Sequence, residues 1–106
     1  MFKQLLSLFG FGPKVDFAEI VRNGSIILDV RTAQEFRNGH INGAINISLQ
    51  DIQKNKLGKI KNLKDRTIIT CCRSGGRSRS AKMLLTSKGF TDVYNGGGWM
   101  SLDSQI

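Results

Sequence analysis

This sequence predicts an α/β domain: a small, mainly parallel sheet with helices on both of its faces. Three observations lead there. Short runs rich in β-branched and apolar residues (25–30, 44–49, 67–71 and 91–94) alternate with helical patterns along the chain. The connections between those runs are too long for hairpins, which favours parallel pairing through crossovers. The first run, 25–30, also lacks the apolar–polar alternation of a half-exposed strand, which suggests burial on both faces. With 106 residues and 40% apolar content, the chain suits one compact unit around a single core.

Each element has a local reason. Residues 1–14 form an N-terminal segment in which Phe2, Leu5, Leu6 and Phe9 share a helical face; an amphipathic helix packed on the domain or on a partner is expected. Ser7 and Gly10 interrupt its apolar stretch, and no small-residue cleavage site follows before Pro13, which argues against a signal peptide. The domain itself is assigned to residues 15–106. Asp16 with Glu19 three residues later opens a short helix that Asn23-Gly24 closes. Thr32 and Glu35 repeat the capping pattern for a helix through Phe36 that stops near Gly39. After Asp51, a lysine-rich stretch holding Gly58 predicts one or two short helices and a loop. Gly76 to Lys88 reads as a helix burying Ala81, Leu84 and Leu85, with Gly89 as its terminator.

The net charge is +8, from 16 Lys and Arg against 8 Asp and Glu. Six of the basic residues (Lys54, Lys56, Lys59, Lys61, Lys64 and Arg66) fall in one stretch without an aromatic residue. Bases would find no stacking platform there, so no nucleic-acid partner is expected; a solvated surface, or a field that steers small anions, is the better account. No segment has the length of a membrane span.

Both cysteines, Cys71 and Cys72, are adjacent. That spacing makes neither a disulfide framework nor a zinc site, and with His40 as the single histidine no metal and no organic cofactor is implied. A reducing, cytoplasmic setting is expected. In parallel sheets ligands sit beyond the carboxyl ends of the strands, and Cys72 falls at such an edge, followed by Arg73-Ser74-Gly75-Gly76-Arg77-Ser78 and a helix. Backbone N–H groups, the positive end of the helix dipole and two guanidinium groups would all favour thiolate there. Such surroundings bring a cysteine from a pKa near ~8.5 to roughly 3.5–7.5. Cys72 is therefore the expected nucleophile. Arg73 and Arg77 are expected to bind an anion, and Ser74, Gly75, Gly76 and Ser78 to complete the substrate cradle. Cys71, one residue earlier, points to the opposite face and reads as core. Asp29 and Arg31, at the end of another strand, and His40, in a loop, are expected to support the loop by pairing and hydrogen bonding rather than to act as acid or base.

These residues carry a resemblance. Over roughly Val15 to Leu102 the chain resembles the rhodanese domain in its single-domain sulfurtransferase form. The matching blocks are Ile27-Leu28-Asp29-Val30-Arg31; Glu35-Phe36 with Gly39-His40-Ile41 and Gly43-Ala44-Ile45-Asn46; Cys72 to Ser78; and Phe90 with Val93-Tyr94 and Gly96-Gly97-Gly98. Asn42 stands where the family commonly has proline, and Trp99 follows Gly98 at once, a shortened spacing. The resemblance implies a cysteine that takes a sulfane sulfur as a persulfide and passes it to cyanide or a thiol. The residue chemistry suggests the same step, with a small anionic donor such as thiosulfate and sulfite as leaving group.

Two other readings meet the same loop. A cysteine-dependent phosphatase has five residues between cysteine and arginine, whereas here four separate Cys72 from Arg77 and no aspartate general acid is evident. A non-catalytic carrier would load sulfur on Cys72 and deliver it to a partner protein, and the basic charge would suit an acidic acceptor.

Overall fold

The computed structural model describes residues 14–106, so the amphipathic helix expected at the N-terminus falls, up to residue 13, outside the described residues. In chain order the elements are α1 (Phe17–Arg22), β1 (Ile26–Asp29), α2 (Ala33–Arg37), β2 (Ile45–Asn46) and α3 (Leu49–Gln53). A 3-10 turn (Gly58–Ile60), β3 (Ile68–Cys72), α4 (Gly76–Ser87), β4 (Val93–Gly98) and α5 (Trp99–Gln105) follow. The strands form one sheet in the order β2-β1-β3-β4 with every pair parallel.

Strand alternation divides the core into two layers. Leu28, Val30, Ile68 and Cys72 point to the face covered by Ile52 of α3, Leu57 and Ile60, and by Ala81 and Leu85 of α4. Ile27, Ile69 and Cys71 point to the other face, against Leu102 of α5 and the half-buried Phe17, Ile20 and Val21 of α1. Burying each such aliphatic side chain contributes about 1.5–3 kcal/mol, and the two-sided apolar pattern of β1 and β3 reflects this double burial. Leu84, expected in the core, packs only half-buried at its margin.

The capping signals act as local physics requires. Thr32 and Glu35 make the full reciprocal box, and the Asp16 carboxylate accepts from the Glu19 amide at 3.1 Å. Three boundaries differ from expectation. The strand expected over 44–49 shrinks to Ile45–Asn46, because the Ser48 hydroxyl accepts from the Asp51 amide and starts α3 at Leu49. The last strand runs on through the glycines to Gly98 instead of stopping at Tyr94. Then α5, absent from the sequence expectation, begins with no side-chain cap and is held by Leu102, which is fully buried. The six basic residues of the 54–66 stretch are all exposed. Among the described residues no helix is long and apolar enough to cross a membrane.

Candidate active site

Helix α4 starts on a residue that has no side chain of its own to cap it. Its N-cap is Gly75, held at φ +108°, a left-handed conformation that a residue with a Cβ adopts only under strain. That turn aims the orphan amides of the helix start back at the end of β3. The Gly75 amide donates to Cys72 Sγ at 3.0 Å and the Ser78 amide at 3.4 Å, so the sulfur caps the helix. The Ser78 hydroxyl lies 3.5 Å from the same sulfur.

Two opposing effects act on Cys72. Burial pushes its thiol up, since only 1% of the residue is exposed. Hydrogen bonds from the Ser78 hydroxyl and from the amides of Ser78, Gly75 and Ser74 outweigh burial, and the net shift is downward. Cys71 shows the contrast: fully buried on the other face, its thiol is pushed up to about 12, first by burial and then by the Asp29 charge. One residue of alternation thus separates an activated thiol from an inert one.

The cradle residues play more varied parts than the sequence suggested. Ser74 and Gly76 are exposed and Gly75 is half-buried along the rim, but Ser78 is fully buried and grips the sulfur from below rather than facing solvent. Arg77 lies close enough to Cys72 for the two charges to interact, but its hydrogen bonds go elsewhere. Its guanidinium makes a two-pronged bond to the Glu35 carboxylate, at 2.7 and 3.0 Å, tying α4 to α2. Hydrogen bonding from Arg77 holds Glu35 down to about 2, so this tether is complete above the ordinary carboxylate range and weakens as pH falls toward that value. Both side chains are about one-third exposed, at 36% and 31%, and such a pair contributes at most about 1 kcal/mol. Arg73 is exposed and makes no ion pair among the described residues, which leaves its charge to solvent.

Asp29 and Arg31 stand at and just beyond the end of β1, and His40 follows α2. Asp29 and Arg31 pair at 2.7 Å, but Arg31 reaches on to the carbonyls of Gly39 and Glu35, not to the cysteine loop. The guanidinium also lies 4.9 Å from the ring centroid of Trp99. His40 is exposed, stacked on Phe36 with Nδ1 2.6 Å from the Phe36 carbonyl. Arg31 and His40 thus brace the helix α2 and the turn after it, and Asp29 fixes the Arg31 guanidinium.

A contributor that sequence reasoning treated only as family likeness is the glycine run. Gly98 packs against the loop backbone, and a Cβ there would stand 2.9 Å from the Arg73 carbonyl oxygen. Gly98→Ala is expected to displace the loop amides from the sulfur and slow alkylation of Cys72 about tenfold, as loss of about one pKa unit of thiolate stabilisation would. Gly97, with φ +77° and no atom within 4 Å of an added Cβ, is the control. Gly97→Ala should cost roughly 1–2 kcal/mol of backbone strain with little change in alkylation. Equal alkylation rates for Gly98→Ala and wild type in a mass-spectrometric time course would show that the close approach does not position the loop.

No group of three or more candidate metal ligands occurs among the described residues. A pocket of about 290 Å³ lined by Thr32, Ser48, Gln50, Gln53 and Arg77 opens beside the loop. The larger hollow of about 780 Å³, lined by Lys61, Lys64 and Lys88, lies near the far end of α4.

A family model described as the rhodanese-like domain matches residues 14–104. Among curated proteins, the thiosulfate sulfurtransferase PspE of Escherichia coli is 35% identical over 71 residues, covering 67% of each chain. The uncharacterised protein YibN of the same organism is 32% identical over 75 residues, 71% of this chain and 52% of its own, so the match spans about half of YibN. Among solved structures, an E. coli rhodanese determined with anions superposes with a TM-score of 0.65 at 31% identity, over 74% of this chain and 91% of that one.

Proposed function

Because this chain belongs to the rhodanese-like domain family, we propose that it is a sulfurtransferase working through a persulfide on Cys72. The observation that carries this reading is the convergence of the Gly75 and Ser78 amides on one sulfur at the mouth of a glycine-rich turn. Such a cradle favours a thiolate, and it equally favours the terminal anionic sulfur of a persulfide. The names of the relatives point the same way, toward thiosulfate for PspE and anions for the E. coli rhodanese.

The chemistry balances in two displacements. The Cys72 thiolate attacks the outer sulfur of thiosulfate; a new S–S bond forms, the old one breaks, and sulfite departs with its electron pair. A thiolate or cyanide then attacks the outer sulfur of the persulfide, leaving as a persulfide or thiocyanate and returning Cys72 to thiolate. No metal or organic cofactor enters either step. Arg73, exposed beside the cysteine, draws the anionic donor in, while Arg77 keeps the loop anchored through Glu35 and adds positive charge near it. Ser74, Gly75 and Gly76 give the donor a rim without bulk. Asp29, Arg31 and His40 support this arrangement one layer out. The exposed basic surface suits anionic donors and an acidic protein acceptor alike. A reducing, cytoplasmic setting and a domain extending over 15–106 complete the reading.

Intact-protein mass spectrometry after incubation with thiosulfate in the absence of reductant tests it. One added sulfur, removed by cyanide with release of thiocyanate over many cycles, is expected. A single loading without turnover would favour the carrier role. Absence of any added sulfur with thiosulfate and with a small persulfide would remove sulfur transfer as the function.

A further inference from the structure

The Ser78 hydroxyl carries one proton and has three neighbours able to take it. Asn95 Oδ1 lies at 2.6 Å, the Gly75 carbonyl at 3.0 Å and Cys72 Sγ at 3.5 Å. The orientation of the Asn95 amide is decided by its second partner: the Gly97 amide donates to the same Oδ1 at 2.9 Å, and a flipped side chain would set N–H against N–H. Asn95 is therefore an acceptor, and the closest one. With the proton directed at Asn95, Ser78 turns its lone pairs to the sulfur, which suits a thiol whose S–H donates to Ser78 Oγ.

A thiolate has no proton to offer and needs a donor instead. We propose that Asn95 is a positioning residue for Cys72: its Oδ1 holds the Ser78 hydroxyl proton while the cysteine is a thiol and yields it to the sulfur once the thiolate or persulfide forms. No covalent bond to hydrogen breaks in this exchange; the hydroxyl rotates. The sheet supplies the geometry. Asn95 pairs with Thr70 in register, and a bulge follows, because Cys72 pairs with Gly98. The Thr70 hydroxyl donates to the Ser78 carbonyl at 2.8 Å, so one pair of sheet residues holds both the backbone and the hydroxyl of Ser78.

Asn95 therefore competes with the thiolate for a donor and sets a threshold for ionisation. The charged or titratable groups around Cys72 are its chain neighbours Cys71 and Arg73, Asp29 at the end of β1 with Arg31 just beyond it, Glu35 from α2 and Arg77 from α4. Strand β4 brings none to this face, since Tyr94 packs with the opposite layer. The proposal rests on Cys72 acting as a thiolate, and not on which sulfur donor it meets.

The test titrates the thiolate of the full chain by its far-ultraviolet absorbance, each variant read against its own Cys72→Ser counterpart. This readout needs no sulfur donor, so it stands apart from failure of sulfur transfer. Asn95→Ala should free the hydroxyl for the sulfur and raise the thiolate fraction, at a fixed pH below the midpoint, about two- to tenfold. Asn95→Asp should shift the midpoint the other way, because a carboxylate keeps the proton more firmly and repels the thiolate. In a Ser78→Ala background Asn95→Ala should have no effect. An unchanged midpoint in Asn95→Ala, a shift of the same sign in both Asn95 variants, or a shift that persists without Ser78 overturns the proposal. Should Asn95→Ala fail to fold, the nearly isosteric Asn95→Asp carries the test, and a midpoint at or below that of wild type overturns it.

Discussion

Cys72→Ser is expected to abolish persulfide formation, leaving sulfite release from thiosulfate at the rate seen without protein. A serine hydroxyl in the same cradle remains protonated at neutral pH, since the Gly75 and Ser78 amides that bring a thiol within reach of ionisation fall far short of ionising an alcohol. It is also a poor nucleophile toward sulfur. The fold should survive, because the side chain changes little in volume and Ser78 remains nearby to share a hydrogen bond. Cys71→Ala provides the comparison. Its thiol, buried on the other face and pushed up to about 12, is unavailable for the reaction, so loading should persist. Steady-state sulfite release decides the matter, and activity surviving in Cys72→Ser or lost specifically in Cys71→Ala would assign the chemistry to the wrong sulfur.

Arg31→Met should have the largest effect on stability, about 3–5 kcal/mol. Asp29 is fully buried, and the guanidinium that neutralises it is 5% exposed over the residue. Three side-chain hydrogen bonds join the two, between 2.7 and 3.1 Å. Removing the cation leaves a carboxylate without its counter-charge in the interior, and it also releases the Gly39 carbonyl that Arg31 holds at 2.7 Å. For a domain of this size each kcal/mol lowers the melting temperature by about 4–8 °C, so thermal unfolding reads the effect easily. Pairing Arg31→Met with Asp29→Asn removes the stranded charge and should recover part of the loss. Should the single variant unfold within about 1 kcal/mol of wild type, the pair is not the stabilising link between β1 and the segment after α2.

Much of the site was legible because it is local in sequence. Cys72, two glycines and a helix start within a few residues, and their spacing alone predicts amides aimed at a sulfur. The Thr32–Glu35 box and the opposite facing of Cys71 and Cys72 follow from periodicity and capping, which are also local. Other features depend on distant partners. Glu35 is as good a capping residue as any, and nothing in its neighbourhood reveals that it binds Arg77 across the fold. Nor does Asn95 announce that it shares a proton with Ser78. Helix α5 was missed because it has no cap signal and rests on Leu102 and Trp99 packing against the sheet.

The fold class, the strand-to-helix turn at Cys72 and the division of the two cysteines between faces are written into the chain's local pattern. Each follows from backbone periodicity and turn chemistry acting over a few residues. What surrounds the sulfur came from tertiary packing: Arg77 binds Glu35, Arg31 binds Asp29 and the carbonyls of Glu35 and Gly39, Gly98 packs on the Arg73 carbonyl, and Asn95 accepts from Ser78. Except for those of Arg31, these contacts join residues far apart in the chain, and which partner a side chain takes is set by strand order and register, which no local pattern encodes.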